Sequence, residues 1–69
     1  MDLLALQREL NRLAGTEGLE AAGAANVWAE TEGLELVGAL NAKAGTDGVE
    51  LEGVARLLGF TGEEGEPEE

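Results

Sequence analysis

The side chains of this sequence that could do chemistry are carboxylates, amides and threonine hydroxyls. Its 69 residues include 15 aspartates and glutamates but no histidine, cysteine, serine or tyrosine. Histidine- and cysteine-based metal sites, disulfides and Ser-His or Cys-His nucleophiles are therefore excluded. Three possibilities remain: metal binding by carboxylates, acid–base chemistry by paired carboxylates, and recognition by amides.

None of the carboxylate patterns favours a known chemistry. The segment 45–50, Gly-Thr-Asp-Gly-Val-Glu, lacks the alternating oxygen ligands of a calcium loop. Paired carboxylates for glycoside hydrolysis need a cleft, and a short alanine-rich chain offers little room for one. The glycine-rich turns carry no lysine at the P-loop position. We therefore expect no enzyme activity, no cofactor and no metal, and interpret the acids as a solvated face.

The amides reveal an internal repeat. Asn11, Asn26 and Asn41 are fifteen residues apart, and cutting the chain there gives NRLAGTEGLEAAGAA, NVWAETEGLELVGAL and NAKAGTDGVELEGVA. Further columns of identical residues are Thr16, Thr31 and Thr46, then Gly23, Gly38 and Gly53. An asparagine ladder could bind an extended partner. The interpretation that we favour is structural, with each amide satisfying a neighbouring turn.

The glycine and threonine residues between the units predict that each unit is a helix followed by a tight turn. Gly15 and Gly45 stand where a helix can end in the left-handed conformation, and the threonine that follows could cap the next helix. Recurrent mid-helix glycines suggest that helix backbones approach closely there. The predicted fold is all-α, with short stacked helices at 2–14, 17–29, 32–44 and 47–58. A rival geometry is one continuous helix in a right-handed supercoil. The predicted break between helices is least secure where Glu30 replaces the turn glycine.

The apolar residues predict a thin core and an interaction surface. Only Trp28 and Phe60 are aromatic, and alanine supplies much of the apolar content. A chain this short gains stability from oligomerisation or from docking on a larger surface. Trp28 and Phe60 could be core residues or interface anchors. Leu36 and Leu51 widen the apolar surface and are candidates to face a partner.

Charge and hydropathy limit the partners. The net charge of -11 disfavours direct contact with nucleic acid or anionic lipid, so that a charged partner should be basic. The apolar stretches are too short for a membrane-spanning helix or a signal peptide. The acidic C-terminal segment has too few apolar residues to fold. We expect a helical domain at 1–59 and a disordered tail at 60–69.

Residues 10–46 resemble the fifteen-residue repeats of small proteins that actinobacterial tailed phages encode near their virion structural genes. The resemblance extends over about residues 1–59, with departures at Glu30 and where Thr-Glu-Gly or Thr-Asp-Gly replaces a second threonine. It implies a non-enzymatic virion component: a minor capsid or decoration protein, or a tail-associated segment. It also implies that the protein is made in the host cytoplasm and ends on the capsid surface.

Two hypotheses follow. In the first, the chain docks in many copies on the capsid lattice, with the major capsid protein or another virion protein as partner, and stabilises it. In the second, it is an acidic interaction protein, such as a nucleic-acid mimic that binds a basic host protein. A mimic should hold its carboxylates in regular rows and lose affinity steeply with salt.

Overall fold

The computed structural model describes residues 2–60, which form four α-helices and no strand. The helices are α1 (Leu3–Ala14), α2 (Ala21–Ala29), α3 (Leu36–Ala44) and α4 (Leu51–Leu57). The predicted all-α class is confirmed. The rival continuous helix is wrong, because the chain leaves the helical conformation after every unit.

The first helix starts and ends by distinct capping devices. The Asp2 carboxylate accepts hydrogen bonds from the backbone amides of Leu4 and Ala5, at 3.0 and 3.3 Å. At the other end, Gly15 adopts the predicted left-handed conformation with φ 75°. The Thr16 amide then donates to the Asn11 carbonyl, which closes the helix end. Glu30 and Gly45 end α2 and α3 with the same bond pattern.

The other helices begin four residues later than predicted. Residues 17–20 form a non-helical connection that bends at Glu17 and Gly18, and Gly18 has φ 74°, a conformation that a helix does not allow. The same segment precedes α3 and α4, with positive φ at Gly33 and Gly48. The threonines are therefore not helix caps. The residues before the helices are Glu20, Glu35 and Glu50, and their side chains make no capping bond.

The helices stack in chain order. Among the described residues, each helix contacts only its immediate neighbours in the sequence, as in a solenoid. The shortest principal extent is 14 Å, close to the roughly 10–12 Å diameter of one helix with its side chains. The helices thus form a single layer, which leaves each helix with surface on both sides of the stack.

Two adjacent columns of the repeat fill the core. The first column is fully buried and alternates in size: Leu10, Ala25, Leu40 and Ala55. The second is also fully buried and holds Ala24, Ala39 and Val54. Alternating large and small side chains let neighbouring layers interdigitate without gaps. The repeat therefore builds a narrow but closely packed core from mostly small residues.

The last unit closes the stack differently. Its helix ends at Leu57, where Gly59 takes the left-handed conformation with φ 96° and the Phe60 amide donates to the Ala55 carbonyl at 2.8 Å. This closure lies one residue earlier than in the other units. Phe60 is therefore the residue whose amide closes the helix end, as a threonine does in the other units. Its side chain packs into the core, with 9% of its surface exposed. Its assignment to the tail is wrong; the other tail residues, 61–69, lie outside the described part.

Candidate docking surface

Each asparagine of the repeat ties its own helix to the connection that follows. The Asn11 amide nitrogen donates to the Gln7 and Leu19 carbonyls, both at 2.9 Å. Its amide oxygen accepts from the Thr16 hydroxyl at 2.7 Å and from the Leu19 amide at 3.1 Å. We call this set of four hydrogen bonds the amide clasp. It secures the backbone of the leucine that leads into the next helix.

The amide clasp recurs in the next two units with nearly the same geometry. Asn26 makes its four bonds at 2.7–3.2 Å. Asn41 makes the equivalent four at 2.6–3.1 Å. The three side chains are buried, and every amide hydrogen has an acceptor. The geometry matches the structural interpretation of the ladder and leaves these amides no free donor for a partner.

The threonine column completes the amide clasp. Thr16, Thr31 and Thr46 each donate the hydroxyl hydrogen to the asparagine five residues earlier. The hydroxyl was predicted to cap the next helix, which is wrong because that helix starts five residues further along. The sequence contained the signal for the observed role, since asparagine and threonine recur together at a constant separation.

Trp28 lies at the junction of three units. Its ring meets the Phe60 ring edge to face, with the centroids 5.7 Å apart. The Lys43 ammonium lies 4.9 Å from the centroid of the Trp28 ring, in cation–π contact. The indole is half-buried and packs against the core. Phe60 is buried in the core, which is one of the two alternatives predicted for it, and Trp28 already has two partners within the chain.

Leu36 and Leu51 begin α3 and α4. Both are half-buried and pack against the core. Each is also partly exposed, so that their role in facing a partner stays a prediction. The large apolar residues that are exposed are different ones, and sequence reasoning did not single them out: Leu3, Leu4, Leu13, Val27, Leu34 and Leu57.

The mid-helix glycines do not bring helix backbones together. A Cβ placed on Gly23 would meet only the Leu19 Cβ, at 3.8 Å, and one on Gly38 only the Leu34 Cβ, at 3.7 Å. A Cβ on Gly53 would meet the Val49 Cγ1 at 3.1 Å. The neighbour is in each case a side chain of the preceding connection. The predicted backbone approach is therefore wrong.

The connections carry two rows of acidic side chains, here named the acidic rows. All six side chains are exposed and recur every fifteen residues: Glu17, Glu32 and Asp47 in one row, and Glu20, Glu35 and Glu50 in the other. None has a cation within ion-pair distance among residues 2–60. Regular spacing and the absence of local countercharge give this edge a negative potential that a basic partner would relieve.

The first helix differs in charge from the rest. Within α1, Glu9 and Arg12 form an ion pair. The hydrogen bond from Arg12 lowers the pKa of the Glu9 carboxyl below its ordinary value of 4.5, and the same bond raises the pKa of Arg12. Both groups are close to solvent, so that this pair contributes little to stability. Residues 2–14 carry no net charge, whereas the acids outnumber the bases in the remaining units.

Other kinds of site find no support in the described residues. No group of three acidic side chains within residues 2–60 is placed to hold a metal ion. No helix in this part of the chain has both the length and the apolar character needed to cross a bilayer. Comparison with protein families, with curated proteins and with solved structures found no match. The surface chemistry and the repeat therefore carry the functional argument.

Proposed function

We propose that this chain is a non-enzymatic virion structural protein, a minor capsid or decoration protein that docks in many copies on a capsid lattice. Its partner would be the major capsid protein or another virion protein. The proposal rests on the resemblance of the repeat to small phage proteins and on the distribution of satisfied and unsatisfied groups. It excludes contact with nucleic acid and membranes on grounds of charge.

One observation carries the proposal: the buried polar side-chain atoms of residues 2–60 are all hydrogen-bonded, whereas exposed carboxylates recur along the surface every fifteen residues. Every buried side-chain nitrogen and oxygen in the described residues has a hydrogen-bond partner. The six carboxylates of the acidic rows are exposed and have no cation partner among the described residues. A surface without an enclosed reactive centre, repeated along a single layer of stacked helices, is suited to binding and not to catalysis.

Because the core is small, the chain would gain stability from docking. Large buried side chains are few, with Leu10, Leu40 and Val54 the largest that are fully buried. A chain of this size has about 3–10 kcal/mol of stability at most. Binding to a lattice would add to that stability by mass action, and the bound chain would in turn hold the lattice together. Repeated copies on one particle would be the expected arrangement.

Mass spectrometry of purified virions tests the proposal. The chain should be present at a constant ratio to the major capsid protein, and it should remain bound through moderate salt. A particle assembled without the chain should lose its genome at a lower temperature than the complete particle. Absence of the chain from purified virions would contradict the proposal directly.

The acidic rows favour a second candidate, a mimic of nucleic acid. Their carboxylates lie at regular intervals, as such a mimic requires. Salt separates the two candidates, because binding by a mimic should weaken steeply as ionic strength rises. We would compare retention of the chain on particles with its retention on immobilised host DNA-binding proteins, each over a salt gradient. Salt-sensitive capture by the host proteins alone would favour the mimic.

A further inference from the structure

Three helix-interior glycines define one face of the stack. Gly23, Gly38 and Gly53 occupy the same position in α2, α3 and α4, and one turn later each helix has an exposed apolar residue. Those residues are Val27, Ala42 and Leu57, with 47% of the Val27 surface and 63% of the Leu57 surface exposed. We call the surface formed by these six residues the glycine face.

Internal packing does not require the glycines at two of these positions. A Cβ at Gly23 or Gly38 would make only ordinary van der Waals contact with a leucine Cβ. In α1 the equivalent residue is Arg8, which is exposed, so this column of the repeat accommodates a long side chain. Glycine inside a helix is destabilising relative to alanine. The packing of the folded chain therefore gives no reason for glycine at Gly23 and Gly38, and the missing side chains leave the helix backbone accessible there.

The glycine face is an apolar groove with an acidic rim. At α3 the floor consists of Val37, Gly38, Ala42 and Val49 together with Asn41 and Thr46 of the amide clasp, and Asp47 and Glu50 form the acidic rim. The preceding unit repeats the arrangement. There, Leu34 is 41% exposed beside the glycine face and Glu32 and Glu35 are the equivalent acids. The α2 unit therefore has similar residue types at the positions that line the α3 groove.

We infer that the glycine face binds a basic, aliphatic segment of another protein, laid across α2, α3 and α4. Its aliphatic side chains would pack against the floor, close to the helix backbones at the glycines. Its lysines or arginines would pair with the acidic rows, whose carboxylates have no cation among the described residues. Charge complementarity selects this occupant over a second copy, because the net charge of -11 makes two copies repel.

This inference goes beyond the proposed function, because it identifies the chemistry of a binding face and needs no virion. The test uses the full chain and a fluorescein-labelled amphipathic helical peptide of leucine and lysine. A length of about 18 residues spans roughly 27 Å, enough to cross three helices at spacings of about 8–10 Å. Fluorescence anisotropy at about 150 mM salt should show saturable binding.

The decisive variant is Gly23→Ala combined with Gly38→Ala. Because alanine favours the helix and fits beside the neighbouring leucines, the melting temperature should rise. The two added methyl groups should nevertheless lower the affinity for the peptide by about tenfold. Higher stability with weaker binding cannot come from a purely structural role of the glycines. Unchanged affinity, or no saturable binding by the original chain, would overturn the inference.

Two matched pairs of variants test the rest of the groove. Asp47→Asn with Glu50→Gln should weaken binding about tenfold, whereas Glu68→Gln with Glu69→Gln changes the net charge equally and should leave the affinity unchanged. Leu34→Ala should weaken binding more than Leu13→Ala, although the two leucines are similarly exposed. Equal effects within either pair would overturn the inference. So would sedimentation showing that the original chain dimerises through the face and that the glycine variant does not.

Discussion

Removal of one amide clasp should cost this chain a large part of its stability. Asn26→Ala is the most informative substitution, because Asn26 belongs to the middle unit and lies between the two halves of the stack. Its amide makes four hydrogen bonds, to the Ala22 and Leu34 carbonyls, the Thr31 hydroxyl and the Leu34 amide. Alanine keeps the helical propensity of the site and removes all four.

The expected loss follows from the groups left behind. A hydrogen bond contributes about 1 kcal/mol net, and a buried group left without its partner costs about 1–3 kcal/mol. The Thr31 hydroxyl can turn toward solvent, so the two backbone groups of Leu34 dominate the cost. We therefore expect Asn26→Ala to lower the free energy of unfolding by about 3 kcal/mol. Chains of this size have only about 3–10 kcal/mol in total.

Urea unfolding followed by circular dichroism measures this loss. Thr31→Val is the matched control, because it removes one bond of the same clasp and leaves Asn26 bonded to Leu34. The control should lose only about 1 kcal/mol. A loss below about 1 kcal/mol for Asn26→Ala, or equal losses for the two variants, would refute the structural role assigned to the amide.

The remaining predictions concern the helix ends and one ion pair. Glu30 has φ 64°, a strained conformation for a side-chain-bearing residue, so Glu30→Gly should raise the free energy of unfolding by about 0.5–1 kcal/mol in thermal melts; a lower melting temperature would contradict this. Phe60→Ala should cost about 3 kcal/mol, measured by urea unfolding, because it opens a cavity at the closed end of the stack; a loss below about 1 kcal/mol would show that the ring does not close it. Arg12 lowers the pKa of Glu9 in the folded chain, so this carboxylate stabilises the fold above its ordinary pKa of 4.5 and the contribution is lost as the pH falls through the lowered value. Glu9→Gln should therefore make the fall in melting temperature between about pH 7 and pH 3 slightly smaller, and a steeper fall would contradict the sign.

Periodicity alone was sufficient to predict the architecture. The fifteen-residue columns and the glycines at 15 and 45 predicted separate helices with left-handed ends, and the structure confirms both. These features are local, because a repeat imposes the same backbone on each unit and a left-handed residue depends mainly on its own φ. Even at Glu30, where no glycine marks the turn, the repeat correctly indicated a break.

The predicted starts of α2, α3 and α4 were wrong, and Thr16 shows the reason. A threonine after a turn glycine satisfies the local pattern of a helix cap, so the local rule placed each helix start four residues early. The hydroxyl is instead committed to Asn11, whose amide also holds the Leu19 backbone eight residues away. A partner at that separation is absent from any rule based on neighbouring residues, and it changes which segment is helical.

The surface likewise has some properties that follow from the sequence alone and others that depend on how the helices stack. Composition and spacing were enough to establish an acidic, helical, repeating chain without the side chains of the common nucleophilic mechanisms, because these are properties of counts and intervals. Which apolar residues face solvent was decided only when the helices stacked in one layer. That stacking buried Phe60 and left Val27 and Leu57 exposed, since burial depends on what lies beside a residue in space and not along the chain.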